Sequence, residues 1–324
     1  MSTHMANHVM FAYGDILREP VVTCLSLGIP HAGRGAGGVS VAGSTNGPNR
    51  PEARKGARST LKVNNLELNT EVIGEGFPLV WGHGLMGSMA FEDRAAFFDW
   101  RSISEIARVV RYDARGHGRS DPTFSAEDYR WANLALDMLG IADRYGFDRF
   151  AAGGMSMGCA TTLFAALAAP KAVAGMVLVI PPTAWETRAA RASVLDQMAD
   201  LIDAEGVEAL IRQMGQGPLR PAWQLRARPE LDGLYLNTLR SFDPGVLAQV
   251  LRGARLCDLP SREEIKTLVM PALILAWADD PTHPLETAAE LDRLLPASRL
   301  VVARSMAEIA TWTREIKEFL SGLS

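Results

Sequence analysis

Three short stretches of this chain carry groups whose types and spacing could do chemistry together. The first is Gly154–Met155–Ser156–Met157–Gly158. A Gly-x-Ser-x-Gly run between a strand and a helix forces its serine into a strained turn and lifts the hydroxyl out of the sheet. Side chains in place of the glycines would collide with the neighbouring strand and helix. A hydroxyl so presented is a nucleophile for acyl transfer, and it needs a base. The second stretch, "LAWADDPTHP" (275–284), offers His283. The six histidines are His4, His8, His31, His83, His117 and His283, so no imidazole follows residue 283.

The third stretch is "WGHGLMGS" (81–88). Its His83–Gly84 pair brings backbone close to the serine, so the N–H of Leu85 and the N–H of Met157 form the two donors of an oxyanion hole. Losing one such donor costs roughly 3–4 kcal/mol of transition-state stabilisation. The ring of His83 reads as a brace for its own loop through hydrogen bonds. Cys159, next to the elbow, reads as a small buried residue rather than a second nucleophile.

The elements that must hold these groups follow from periodicity. "TLKVNNLELNTEVIG" (60–74) alternates around a turn at Asn64–Asn65, as an antiparallel hairpin does. Apolar runs then recur at 77–82, 107–113, 148–154, 174–180, 271–277 and 298–304, with helical patterns at 129–145, 157–169 and 285–295. Strands buried on both faces and alternating with helices predict a mostly parallel, doubly wound α/β sheet covered on each side. Residues 183–263 lack a good strand and carry several helical patterns, which predicts a helical cap over the C-terminal edge of the sheet, where open α/β sheets carry their sites. The core is then 60–182 with 264–324. Residues 1–59, rich in Gly, Ser, Pro and Asn, read as a poorly ordered extension or as a start set too far upstream.

Bulk composition narrows the class. The 324 residues carry 33 basic against 37 acidic side chains, net −4, which argues against a nucleic-acid groove or a polybasic membrane anchor. No apolar run reaches the 18 or so residues that a membrane helix needs, and no basic patch followed by a continuous apolar core marks a secretory signal. Three scattered cysteines, Cys24, Cys159 and Cys257, fit a reducing cytoplasm better than a disulfide framework or a zinc site. No phosphate-loop spacing or Gly-x-Gly-x-x-Gly after a first strand is present, so neither a metal nor a nucleotide cofactor is expected. A small-molecule substrate and at most a homodimer are the expected partners.

Taken in order, "HG" at 83–84, "RYDARGHGRSD" (111–121), "GMSMG" and "DDPTHP" resemble the α/β-hydrolase superfamily, and within it capped members such as esterases, lactonases and carbon–carbon bond hydrolases. The resemblance covers about residues 60–324. It implies that Asp280 holds the position of the family's acid, with Asp279 an exposed neighbour, and that Asp113 and Arg115 tie loops together while His117 is structural. It also implies a histidine after the last strand, and here the chain departs. The loop there reads "SMAEIATW" (305–312), and Ser305, Met306 and Glu308 do not serve as a base near neutrality in the ordinary way.

Three readings meet this departure. In one, His283 is a relocated base, oriented by Asp280, Asp279 or a cap residue such as Glu186, since such sites are defined by geometry rather than by chain order. In another, the protein is a ligand-binding or slow α/β-hydrolase-fold protein. In the third, His283 abstracts a proton in a non-acyl reaction such as C–C bond hydrolysis. The leading reading is a carboxylic ester hydrolase acting through Ser156, His283 and Asp280. His83, Gly84, Met155 and Trp185 are expected around the substrate, with Met86, Met89, Met157, Met198, Met214 and Trp223 making the cleft apolar and adaptable. That favours a hydrophobic ester, lactone or thioester over a charged metabolite.

Overall fold

A computed structural model describes residues 58–280 and 282–323. The N-terminal extension expected over 1–59 lies outside the described residues except for Arg58 and Ser59, which belong to the first strand and pair with Glu71 and Thr70. Eight strands form one sheet: β1 (Arg58–Val63), β2 (Leu66–Ile73), β3 (Phe77–Gly82), β4 (Ala107–Tyr112), β5 (Phe150–Met155), β6 (Val173–Val179), β7 (Ala272–Trp277) and β8 (Ser298–Ala303). Their order is β1-β2-β4-β3-β5-β6-β7-β8. The first hairpin and the β2–β4 pair are antiparallel, and every later pair is parallel. Asn64 and Asn65 make the hairpin turn with φ of 49° and 66°, the left-handed pair that matches the twist of its strands.

The parallel strands are buried on both faces by alternation. In β7, Ala272, Ile274 and Ala276 join one core with the helices Trp131–Arg144, Met157–Ala168 and Leu285–Leu294. Leu273, Leu275 and Trp277 face the other, built with Phe97, Phe98, Trp100 and Trp312. Successive side chains on opposite faces are what make these strands read as unbroken apolar runs.

Between β6 and β7 no strand interrupts the described chain. The helices Arg188–Glu205, Val207–Met214, Ala222–Ala227, Leu231–Leu239 and Pro244–Arg255 fill it. Gly206, at φ 81°, divides what reads as one long helical pattern into the first two of these. The helices share a small core of their own, with Leu195, Met198, Leu210, Leu247 and Leu251 packed around Met86 from the loop after β3. No helix among the described residues is long and apolar enough to cross a membrane.

Candidate active site

Ser156 sits between β5 and the helix Met157–Ala168 with φ 53° and ψ −104°, a strained conformation for a residue with a side chain. Its two glycines make the turn possible. A Cβ on Gly158 would lie 2.1 Å from the carbonyl oxygen of Gly82, and one on Gly154 would lie 2.5 Å from both Gly82 O and the Gly158 carbonyl carbon. Strand, turn and helix are therefore pressed against the end of β3. Met157 is the first residue of its helix, so its N–H has no partner inside that helix and borders the cavity beside the serine.

The loop after β3 is pinned by two buried histidines. His83 Nε2 accepts from the Ala114 N–H at 3.0 Å, so its Nδ1 carries the proton and donates to Gly84 O at 2.8 Å. His117 does the same one layer away: Nε2 accepts from the Met86 N–H at 3.3 Å, and Nδ1 donates to Arg115 O at 2.9 Å. Burial pushes the His117 imidazole down to about 3, with the neighbouring His83 adding to it, and burial lowers His83 as well against the pull of Asp113. Both rings are neutral braces, and neither has a nitrogen left for Ser156. Arg115 is spent on Asp137 through two bonds of 2.7 Å, and Asp113 receives Asn69, Met89 and Arg119.

His283 is placed differently. Its Nε2 lies 2.9 Å from Ser156 Oγ, and its Nδ1 lies 2.9 Å from Asp280 Oδ2. Asp280 and His283 are set by one tight turn. Asp280 Oδ1 accepts the N–H of Thr282 at 2.6 Å, the Thr282 hydroxyl at 2.9 Å and the N–H of His283 at 3.0 Å. An aspartate that captures the backbone of the residues following it is a self-contained turn, so Asp280 fixes the imidazole three positions on without help from another strand. The indole N–H of Trp277, at the end of β7, donates to the second carboxylate oxygen. Burial would raise the Asp280 carboxyl, but the His283 ring, the Trp277 indole and the Thr282 N–H outweigh it and hold the group well below the usual carboxylate range. Asp279 stays exposed, and Glu186 is committed to Arg262 at 2.8 Å.

The position after β8 has another use. Ser305 caps the short helix Met306–Ile309 by accepting from the Glu308 N–H, while Glu308 Oε2 accepts from the Arg304 N–H. That loop closes on itself.

A cavity of about 120 Å³ opens over the serine, lined by Gly84, Leu85, Met155, Ser156, Met157 and His283 among others. Two expected lining residues are not there. His83 is turned into its loop as described. Trp185 stands outside, its indole donating to Pro260 O and its ring covered by Arg262 at 4.4 Å. Of the wider apolar set, Met86 and Met214 line the cavity, whereas Met89, Met198 and Trp223 do not; Trp223 donates instead to Ala278 O. The lining is also less apolar than expected, because Glu92, Arg188, Arg191 and Arg220 contribute to it. No periodic signal marks these four, since each is brought to the cavity by tertiary folding alone.

Glu92 is the most perturbed of them. Its Oε1 accepts from the Trp81 indole at 3.0 Å, and its Oε2 is buried with no hydrogen-bond partner. Burial raises its carboxyl to about 7, against the pull of Arg111 and Trp81. A carboxyl raised in the folded state adds no penalty below its ordinary value near 4.5 and loses stability as pH climbs through 7, in full about 3 kcal/mol. Glu92→Gln keeps an acceptor for Trp81 and removes the charge. Its urea midpoint should therefore exceed that of the wild type at pH 8 and converge with it near pH 5. A difference that is the same at both pH values would mean that Glu92 is ionised throughout.

Comparison with known proteins agrees with this architecture. A protein from Variovorax paradoxus named "Putative carbamate hydrolase RutD" is 29% identical over 279 residues, 80% of this chain and 98% of that one. A thermophilic esterase from Thermogutta terrifontis superposes with a TM-score of 0.70 at 21% identity, over 82% of this chain and 99% of its own. The esterase RhEst1 from Rhodococcus sp. ECU1013 gives 0.67 at 22%, over 83% and 100%. The family profile described as alpha/beta hydrolase fold matches residues 78–313, from β3 to the start of the last helix, Trp312–Ser321. With that match spanning most of the chain, and with the sheet order and the serine turn already in place, the chain belongs to the alpha/beta hydrolase fold family.

Proposed function

We propose that this hydrolase cleaves a carboxylic ester, lactone or thioester of moderate size through an acyl-enzyme on Ser156. One observation carries the reading: a single imidazole, that of His283, bridges the Ser156 hydroxyl and the Asp280 carboxylate at 2.9 Å on each side. With its Nδ1 proton directed at Asp280, His283 Nε2 accepts the serine proton as Oγ attacks the carbonyl carbon. The N–H groups of Leu85 and Met157 receive the developing oxyanion. His283 then gives the proton to the leaving alcohol or thiol, and a water activated by the same nitrogen releases the acid and restores the serine. The helices of 183–263 act as a cap that closes the apolar part of the cavity, drawn from Met86, Met155, Ile180, Leu195 and Met214. This chemistry needs no metal or nucleotide cofactor, and the cytoplasmic setting proposed with it rests on the three scattered cysteines.

The test is a fluorophosphonate probe. It reacts with an activated serine, so the full-length protein should be labelled at Ser156 with one probe per chain, and Ser156→Ala should take up none. An unlabelled wild type, folded by its thermal transition, would remove the serine mechanism and leave a binding protein or a non-acyl reaction that depends on His283.

A further inference from the structure

Arg220 is buried where a guanidinium has little reason to be. Only a tenth of its side chain is exposed, and it lines the same cavity as Ser156 and His283. Its Cζ stands 5.7 Å from the Phe91 ring, 5.8 Å from Phe97 and 5.6 Å from Tyr235, so its charge is held in an aromatic box. The carboxylate in ion-pair distance, that of Asp232, has Oδ1 3.3 Å from Arg220 Nε, but the pair is out of line: Nε and Oδ1 are both buried without a hydrogen-bond partner. Asp232 spends its other oxygen on the Leu219 N–H at 3.1 Å. A guanidinium presents five donors in a planar fork that matches a carboxylate, and leaving such donors unmet in a buried site is costly.

Arg188 is held quite differently. It also borders the cavity, but it donates to Cys257 O, Ala254 O and Thr183 Oγ1, so its fork is used up in tying the two ends of the insertion together while its face covers Trp131 of the core. Arg220 has no such task.

We propose that Arg220 is the anion-binding residue of the cavity, and that the substrate is an otherwise apolar ester, lactone or thioester bearing one carboxylate on its acyl side, seated against Arg220 while the scissile carbonyl faces Ser156. This rests on the acyl-enzyme reading given above and narrows its substrate class. The aromatic box keeps the guanidinium dry and in place, so an incoming carboxylate trades its water for a preorganised fork instead of ordering a flexible side chain. An off-line Asp232 balances part of the charge without occupying the fork. Burial lowers the Arg220 pKa by more than Tyr235, Asp232 and Asp280 raise it, so its charge is under-compensated where it sits.

The experiment compares p-nitrophenyl butyrate with the mono-p-nitrophenyl esters of succinate, glutarate and adipate, the three lengths reading the spacing from the fork to the serine. The wild type should prefer one of the acid esters over the neutral one. In Arg220→Met the ratio of kcat/KM for that acid ester to kcat/KM for the butyrate should fall about 100-fold, the scale of a lost charge-assisted pair, and through KM. Arg220→Lys should recover part of the ratio. A wild type without preference, or an Arg220→Met protein whose two substrates decline together, overturns the proposal.

Binding separates this from the mechanism. Monomethyl glutarate titrated calorimetrically into Ser156→Ala should bind, and the same titration into Ser156→Ala with Arg220→Met should be weaker by a similar factor. If no ester is hydrolysed yet this Arg220-dependent binding is present, the acyl-enzyme reading has failed and the anion site stands. If esters are hydrolysed and the binding is equal in both proteins, the anion site has failed alone. Should Arg220→Met not fold, the Ser156→Ala titration with monomethyl glutarate against methyl butyrate decides, and equal affinity for the two overturns the proposal.

Discussion

Replacing His283 by alanine should lower kcat for p-nitrophenyl butyrate by about 10⁶-fold, the scale seen when the base of a serine triad is removed. The magnitude follows from what remains. Ser156 would keep its strained turn, and the N–H groups of Leu85 and Met157 would keep their places, which together retain roughly a thousandfold advantage over water. No other described imidazole can step in, because His83 Nε2 is engaged by Ala114 and His117 Nε2 by Met86. KM should move far less than kcat, since the ring meets the reacting atoms rather than the body of the substrate. The fold should survive, because His283 is part-exposed and held by a local turn rather than by a core. Activity within tenfold of the wild type would place the base elsewhere and end the relocation argument. Loss of both turnover and the thermal transition would indicate a structural ring.

How much of this could be read in the sequence depends on whether a feature is local. The serine turn is local: two glycines, a preceding apolar strand and a following helix all lie within some twenty residues, and the glycines are needed because Gly82 and Gly158 touch. The strands of the core are local in the same sense, because burial on both faces writes itself as an apolar run. The pairing of Asp280 with His283 is local too, a turn spanning three positions in which the carboxylate captures the backbone of the histidine that it meets. That makes a histidine at this place geometrically easy once the loop after β8 is committed to its own helix cap.

What lay beyond the sequence was distant. Trp185 looked like a pocket residue because it leaves β6 toward the sheet edge, yet Asp258, Pro260 and Arg262, over seventy residues on, hold it outside. Arg220 gave no signal at all. Its setting consists of Phe91, Phe97, Asp232 and Tyr235, and only folding brings those four together. Polar groups gathered around a cavity by tertiary folding are therefore the hardest part of such a site to read.

The carboxylate behind the base is tested by Asp280→Asn, for which a loss of about 10⁴-fold in kcat is expected, as when the aspartate of such a triad becomes an amide. Asp280 takes donors on both oxygens: the N–H and hydroxyl of Thr282 and the N–H of His283 on one, the Trp277 indole and the His283 ring on the other. An asparagine can keep only one oxygen. Whichever way it turns, its NH₂ faces donors, and the arrangement least in conflict puts the NH₂ against His283 Nδ1. That ring nitrogen must then accept, the proton moves to Nε2, and Nε2 no longer takes the serine proton. The neighbour supplies the control. Asp279 is exposed and has φ 61°, a conformation that asparagine adopts readily, so Asp279→Asn should leave kcat within about twofold. Stability gives a second, pH-dependent readout. A carboxyl depressed in the folded state contributes stability that is present above its ordinary value near 3.8 and is lost as pH falls through its lowered folded value. The deficit of Asp280→Asn in urea should consequently be full at pH 7 and should narrow only in strong acid. A deficit that narrows already between pH 7 and 5, with kcat close to the wild type, would mean that Asp280 neither holds its charge nor orients the base.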